Sequence, residues 1–157
     1  MHEVRIHGRG GQGAVTTGQI MAIAAFYDGK ETQTFPSFGV ERAGAPVTAF
    51  VRIDNKKINL RSEVKTPDVV LVLEPSLTEC VNITEGLKKG GIIIINSNKP
   101  KEEFKYRGYQ VHTVDATKIA LEIFKKPIVN TAMIGAFAAI TKLITLDSVS
   151  YTHLTLP

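Results

Sequence analysis

A chain of 157 residues is long enough for one domain with a proper hydrophobic core and too short for two comfortable ones. An apolar share of 43% and a charged share of 22% are those of a folded protein, and the net charge of +4 comes from scattered basic residues, not from a stripe that would track nucleic acid. One cysteine, Cys80, excludes an internal disulfide and an iron–sulfur cluster held by this chain alone, because a cluster needs about four thiolates.

No basic-then-apolar leader opens the chain and no apolar stretch reaches the roughly 20 residues of a membrane span, so a cytoplasmic protein without membrane contact is expected. Val4-Arg5-Ile6-His7 alternates apolar and polar and then meets Gly8, which predicts a strand ending in a turn. Gly13 to about Tyr27 has helical spacing, closed by Asp28-Gly29 with Gly29 as a left-handed cap. Glu31 to Phe35 is a second strand, stopped by Pro36, and residues 36–46 read as a loop. Val47 to Ile53 is strand-like, and Asp54-Asn55 followed by Ile58-Asn59-Leu60 predicts a hairpin. Val69 to Leu73 and Ile92 to Ile95 are continuous apolar runs, as expected of strands covered on both faces. Between them Ser76, with Glu79 three residues on, predicts a capped helix to about Lys89, with Cys80 packed inside it as a small hydrophobe. Gln110 to Val114 is a further strand and Ala116 to Phe124 a short helix. Asn130 is placed as the cap of a last helix through Leu143, apolar on nearly every side. Such a helix is buried either in this domain's own core or between the sheet and another subunit.

Apolar strands alternating with helices define the fold class as α/β: a mostly parallel sheet with flanking helices and one antiparallel hairpin, in a Rossmann-like three-layer domain.

Two loops carry the functional signal. Gly8-Arg9-Gly10-Gly11-Gln12-Gly13 matches G-x-G-x-x-G between a strand and a helix, where glycines let backbone N–H groups approach a phosphate at the helix N-terminus. The dinucleotide fingerprint also needs an acidic residue at the end of the second strand, and that strand ends in Phe35-Pro36. A tight turn packed against a partner subunit, or contact with another anionic ligand, therefore stands beside nicotinamide binding. The second loop, Phe35 to Pro46, holds Phe35, Phe38, Glu41 and Arg42. Its phenylalanines either anchor a protein interface, with Arg42 reaching an anion, or cap this domain's own core. Catalytic machinery is thin. His7 reads as a structural hydrogen-bonder, Ser37 lacks a nucleophile elbow, and no histidine or cysteine spacing suits a metal.

With both loops in view, the chain resembles the gamma subunit of the pyruvate and related 2-oxoacid:ferredoxin (flavodoxin) oxidoreductases. The resemblance rests on the block from Arg5 to Thr16, on Phe35-Pro36-Ser37-Phe38-Gly39-Val40-Glu41-Arg42 with Gly44-Ala45-Pro46-Val47, and on Asn130-Thr131-Ala132-Met133-Ile134-Gly135-Ala136-Phe137. It implies an enzyme that converts a 2-oxoacid and coenzyme A to acyl-CoA and CO2 while reducing ferredoxin. It also implies thiamine diphosphate between alpha and beta subunits, iron–sulfur clusters mainly in a delta subunit, and a gamma module on the coenzyme A side. Gly8-Arg9-Gly10-Gly11-Gln12-Gly13 with Ser37, Phe38 and Arg42 are the contacts it suggests, and no cofactor is expected on this chain alone. Ala43 stands where the family usually has a second arginine, which weakens a phosphate role for that loop. The expected domain is residues 1–149, truncated near its end, with residues 150–157 a tail unlike any native continuation.

Overall fold

β1 (His2–Arg9) lies in the middle of a six-stranded sheet, and the order β2-β3-β1-β4-β5-β6 places every other strand relative to it. The computed structural model describes residues 1–37 and 43–155, with side chains as far as residue 152. β3 (Pro46–Asp54) pairs antiparallel with β1 along its whole length, from His2 opposite Ile53 to Arg9 opposite Pro46. β2 (Glu31–Pro36) pairs antiparallel with the far edge of β3. On the other side of β1, β4 (Val69–Val72), β5 (Ile92–Asn96) and β6 (Gln110–Val114) all run parallel to it. The α/β class with a largely parallel sheet and flanking helices is as expected. The antiparallel element is placed differently: Ile58-Asn59-Leu60 forms no strand, and β3 takes both of its partners from strands earlier in the chain.

Alternation along β1 sorts its side chains. Val4 and Ile6 point to one face, joined by Val51, Leu71 and Ile94, and α1 (Ala14–Tyr27), α4 (Asn130–Thr141) and α5 (Leu146–Thr155) supply most of the cover. Ala116 and Ala120 of α3 (Ala116–Phe124) are buried too. Each Ile or Leu fully buried in this way stabilises the fold by about 1.5–3 kcal/mol. On the opposite face Val70, Val72, Ile93 and Ile95 pack under Leu77, Ile83 and Leu87, with Phe104 and Tyr106 beside them.

The covering segment on that second face is not the long helix expected from Ser76 to Lys89. α2 (Leu77–Cys80) is a single turn, ended by extended backbone at Val81. Gly86 then has φ +69, and a Cβ there would lie 2.0 Å from the Lys65 carbonyl oxygen, so this stretch turns tightly against a neighbouring segment instead of continuing helical. Ser76 makes no capping bond and Cys80 is exposed rather than packed.

α1 ends as expected, with Gly29 at φ +80: Gly29 N–H donates to Phe26 O and Lys30 N–H to Ala25 O. The adjoining Asp28 carboxylate accepts from Thr145 N–H at 2.8 Å, Thr145 Oγ1 at 2.7 Å and Ser148 Oγ at 2.5 Å. α5, an element the sequence did not predict, starts on these bonds. Partial burial works against the ionised Asp28, but the bonds from Ser148 and Thr145 outweigh it and hold the carboxyl below its usual range. Tyr151 of α5 meets Tyr27 edge-on at 4.7 Å and Thr152 is fully buried. The last helix of the sequence reading, α4, buries Met133, Ile134, Phe137 and Ala138 and leaves Ala139 exposed, so it has one core side, not four. Asp28→Ala is expected to lower unfolding free energy by about 1–3 kcal/mol and to raise amide exchange in α5 before that of β1, as read by urea denaturation and hydrogen exchange.

Candidate functional site

The turn from β1 into α1 rests on two residues in the left-handed region, Gly11 at φ +89 and Gly13 at φ +76, the latter being the N-cap of α1. Gln12 ties the turn together. Its Oε1 accepts from Arg9 N–H at 2.7 Å, and its Nε2 donates to Glu74 Oε2 at 2.9 Å, just beyond β4. From the far end of the chain, Asn130 Nδ2 donates to Gly13 O at 3.1 Å and to Thr17 Oγ1 at 2.6 Å. Asn130 is thus not the cap expected of it, since Val129 holds that position; its amide instead fastens α4 to the glycine turn.

The two motif loops, with residues 14–34 between them, meet here. Gly10 N–H donates to Ala45 O at 2.8 Å and Gly44 N–H to Gly10 O at 3.2 Å, extending the β1–β3 contact past the strands. The Arg9 guanidinium spans the junction: Nη1 donates to Gly44 O at 2.9 Å and Nη2 to Ser76 Oγ at 3.0 Å, with Cys80 Sγ 3.8 Å away. Ser37 stands at the foot of the second loop, its N–H on Thr48 O at 2.9 Å. Phe35 lies against Phe50 at 5.3 Å with the Arg52 guanidinium 5.2 Å from its ring centroid, so it caps this domain's own sheet. Phe38 and Arg42 fall outside the described residues.

On the other side of the turn a cleft of about 660 Å³ opens between Gly11, Gly13 and Thr16 on one wall and Thr117 and residues 127–130 on the other. Its floor is Leu73, Glu74 and Asn96, at the carboxyl ends of β4 and β5, where the chain's path across the sheet reverses direction from β1 and ligand sites of α/β sheets form. Asn96 is buried and fully engaged: Nδ2 donates to Leu73 O at 3.0 Å, and Oδ1 accepts from Ala116 N–H at 3.1 Å at the start of α3. Glu74, Asn96 and Asn130 were missed as site residues, although Glu74 and Asn96 each follow an apolar strand run directly, which is the available signal. Among the lining residues Glu74 carries the only ionisable side chain, so the cleft itself favours neutral, amide-like groups over phosphate.

His7 ends up on the opposite face. Its Nε2 accepts from Arg5 Nε at 3.0 Å, the structural role expected of it, and burial together with the Arg5 charge pushes its pKa down to about 3. No group of three metal-ligating side chains exists among the described residues, and no helix there is long and apolar enough to cross a membrane.

Strand, glycine turn, helix and switch-point cleft define the class of an α/β module, with no assembled catalytic set among the described residues. The chain belongs to the pyruvate ferredoxin/flavodoxin oxidoreductase family, whose model matches residues 3–152. It is 57% identical over 149 residues to the PorC subunit of pyruvate synthase from Methanocaldococcus jannaschii, covering 95% of this chain and 82% of that one. It is 56% identical to the common gamma subunit of the pyruvate/ketoisovalerate oxidoreductases of Thermococcus kodakarensis, over 95% and 83% of the two chains. The crystal structure of the pyruvate oxidoreductase subunit PORC from Thermotoga maritima superposes with a TM-score of 0.80 at 38% identity, over 99% and 86% of the two chains. A 2-oxoglutarate:ferredoxin oxidoreductase from Magnetococcus marinus, solved with 2-oxoglutarate, coenzyme A and succinyl-CoA bound, shares the fold (TM-score 0.77, 21% identity) over 96% of this chain and 26% of its own.

Gly13→Ala is expected to cost about 1–3 kcal/mol, because it combines left-handed strain with a Cβ 3.0 Å from Asn130 Nδ2. Gly11→Ala, with nothing near its Cβ, costs only the strain, about 1–2 kcal/mol, and the ordering is checked by urea denaturation of both variants. His7 gives a pH signature. Its folded pKa is depressed, so its contribution is complete above the ordinary value of 6.5 and is lost as pH falls from there toward about 3. Urea midpoints at neutral pH and midway through that window are expected to differ less in His7→Gln, which keeps an acceptor for Arg5.

Proposed function

We propose that this chain is the gamma subunit of a multisubunit, cytoplasmic 2-oxoacid:ferredoxin oxidoreductase of the pyruvate synthase type. The enzyme converts a 2-oxoacid and coenzyme A to acyl-CoA and CO2, and passes the electrons to ferredoxin. The observation that carries this reading is identity above one half with PorC and gamma subunits along 95% of the chain. In the complex, thiamine diphosphate and the iron–sulfur clusters reside on alpha, beta and delta subunits and supply the decarboxylation and electron-transfer chemistry.

This chain's part is to position coenzyme A. Arg9 holds three neutral acceptors with a five-donor fork, which leaves N–H groups for a phosphate, and Arg42 is the second cation on the same pair of loops. Ser37 and Phe38 belong to the same loop sequence as Arg42 and complete the proposed set of contacts. Gly10, Gly11 and Gly13 bring bare backbone to the ligand, whereas Gly8 is buried against Ala14 and Leu73, and the cleft beyond Gly11, with Glu74 on its floor, suits the uncharged amide-bearing arm. A free-standing nicotinamide-binding protein is disfavoured because β2 ends at Pro36 without the acidic residue that would hold a ribose.

Co-expression with the alpha, beta and delta subunits is expected to give a complex that reduces a viologen dye with pyruvate and coenzyme A, and a complex lacking this chain is expected to lose that activity. Equal activity without the chain overturns the assignment. Within an active complex, Arg9→Ala is expected to raise KM for coenzyme A roughly tenfold or more while KM for pyruvate stays unchanged.

A further inference from the structure

The polar face of β1 and β3 contains two buried guanidiniums, and only one is neutralised. Arg52, fully buried, is held by Glu3 Oε2 at 3.0 Å, Gln33 Oε1 at 2.8 Å and Ser62 O. Arg5, one row along the same face, is 8% exposed and forms no ion pair among the described residues. Its two bonds go to neutral acceptors, His7 Nε2 at 3.0 Å and Ile83 O at 2.9 Å, and Nη1, which bonds to no group among the described residues, is reached by solvent. Glu85 is felt by Arg5 as an opposite charge, but it is an exposed rim residue out of ion-pair reach. A buried cation without a counter-charge is costly, and protein interiors normally pair it.

Arg5 and His7 line a cleft of about 290 Å³, together with Thr48, Phe50, Val81, Asn82 and Glu85, whose carboxylate lies beyond ion-pair reach of Arg5. Because His7 Nε2 is the acceptor for Arg5, the ring proton sits on Nδ1, which makes the imidazole a second donor beside the guanidinium. The lining thus combines the donors of Arg5, His7 and Thr48 with the apolar surface of Phe50 and Val81. We propose that this cleft, on the face of the sheet opposite the glycine turn's, receives a carboxylate carried on a short apolar stem. A free monocarboxylic acid and the Asp or Glu side chain of a neighbouring chain share that chemistry, and the inference does not depend on the gamma-subunit assignment.

The test is titration of the full chain with propionate, observed at the ¹⁵N-labelled Arg5 side chain and the His7 ring by NMR, with chloride at matched ionic strength as control. Saturable shifts with propionate, beyond those with chloride, are expected. Arg5→Met should weaken binding tenfold or more. Thr48→Leu, which fills the cleft and leaves Arg5 in place, should do the same, so the result does not hang on one variant's folding. Arg5 and His7 signals that move no more with propionate than with chloride overturn the proposal. Repeating the titration after partner subunits are added, with assembly checked by gel filtration, separates the sources. Signals already shifted and closed to propionate identify a partner's carboxylate, and signals still open to it identify a free acid.

Discussion

The eight-residue register between β1 and β3 is the constraint on which the remaining structure depends. Side chains alternate across a strand, so a slip of one residue would turn over one strand of the pair, driving either Arg5 and His7 or Arg52 into the helical core and expelling either Val4 and Ile6 or Val51 from it. The buried Arg52 fixes the register from within: its bonds to Glu3 on β1 and Gln33 on β2 tie three strands together with one side chain. The same register, carried past the strand ends by Gly10 and residues 43–45, is what brings the two motif loops into contact. The site is therefore a by-product of strand alignment more than of local loop preference.

The sheet separates two electrostatic environments. On the helical side the cleft beside the glycine turn has Glu74 and a set of amides and hydroxyls, and the glycine positions that admit a close ligand also admit Asn130. On the other side an uncompensated guanidinium and a neutral imidazole sit under a small apolar-walled cleft. Arg9 lies between the two motif loops and faces neither lining, bridging Gly44 and Ser76.

Much of this was readable in advance where one segment contains its own information. The β1–glycine turn–α1 unit, the apolar runs of β4 and β5 and the Gly29 helix stop follow from local pattern. Failures came where a distant contact decides. The spacing of Leu77, Ile83 and Leu87 passes for a helix, but Gly86 packed against the Lys65 carbonyl enforces turns instead. α5 has little amphipathic pattern of its own and begins on a carboxylate, Asp28, more than a hundred residues earlier. Asn130 looks like a cap because asparagine commonly is one, and nothing in its neighbourhood shows that Gly13 and Thr17 claim its amide first. For the site, strand ends marked Glu74 and Asn96 once the sheet order was known, and the order itself required the antiparallel insertion of β3 that the sequence had misplaced.

The central position of β1 also sets a timetable. β1 finds its antiparallel neighbour 37 to 51 residues later and its parallel neighbour later still, while the amide that secures the glycine turn arrives with Asn130, 117 residues after Gly13. Such long-range closure slows folding, because chain entropy must be given up before the contacts that reward it can form. A nascent chain therefore displays its glycine-rich turn well before the wall of the cleft supplied by residues 127–130 exists.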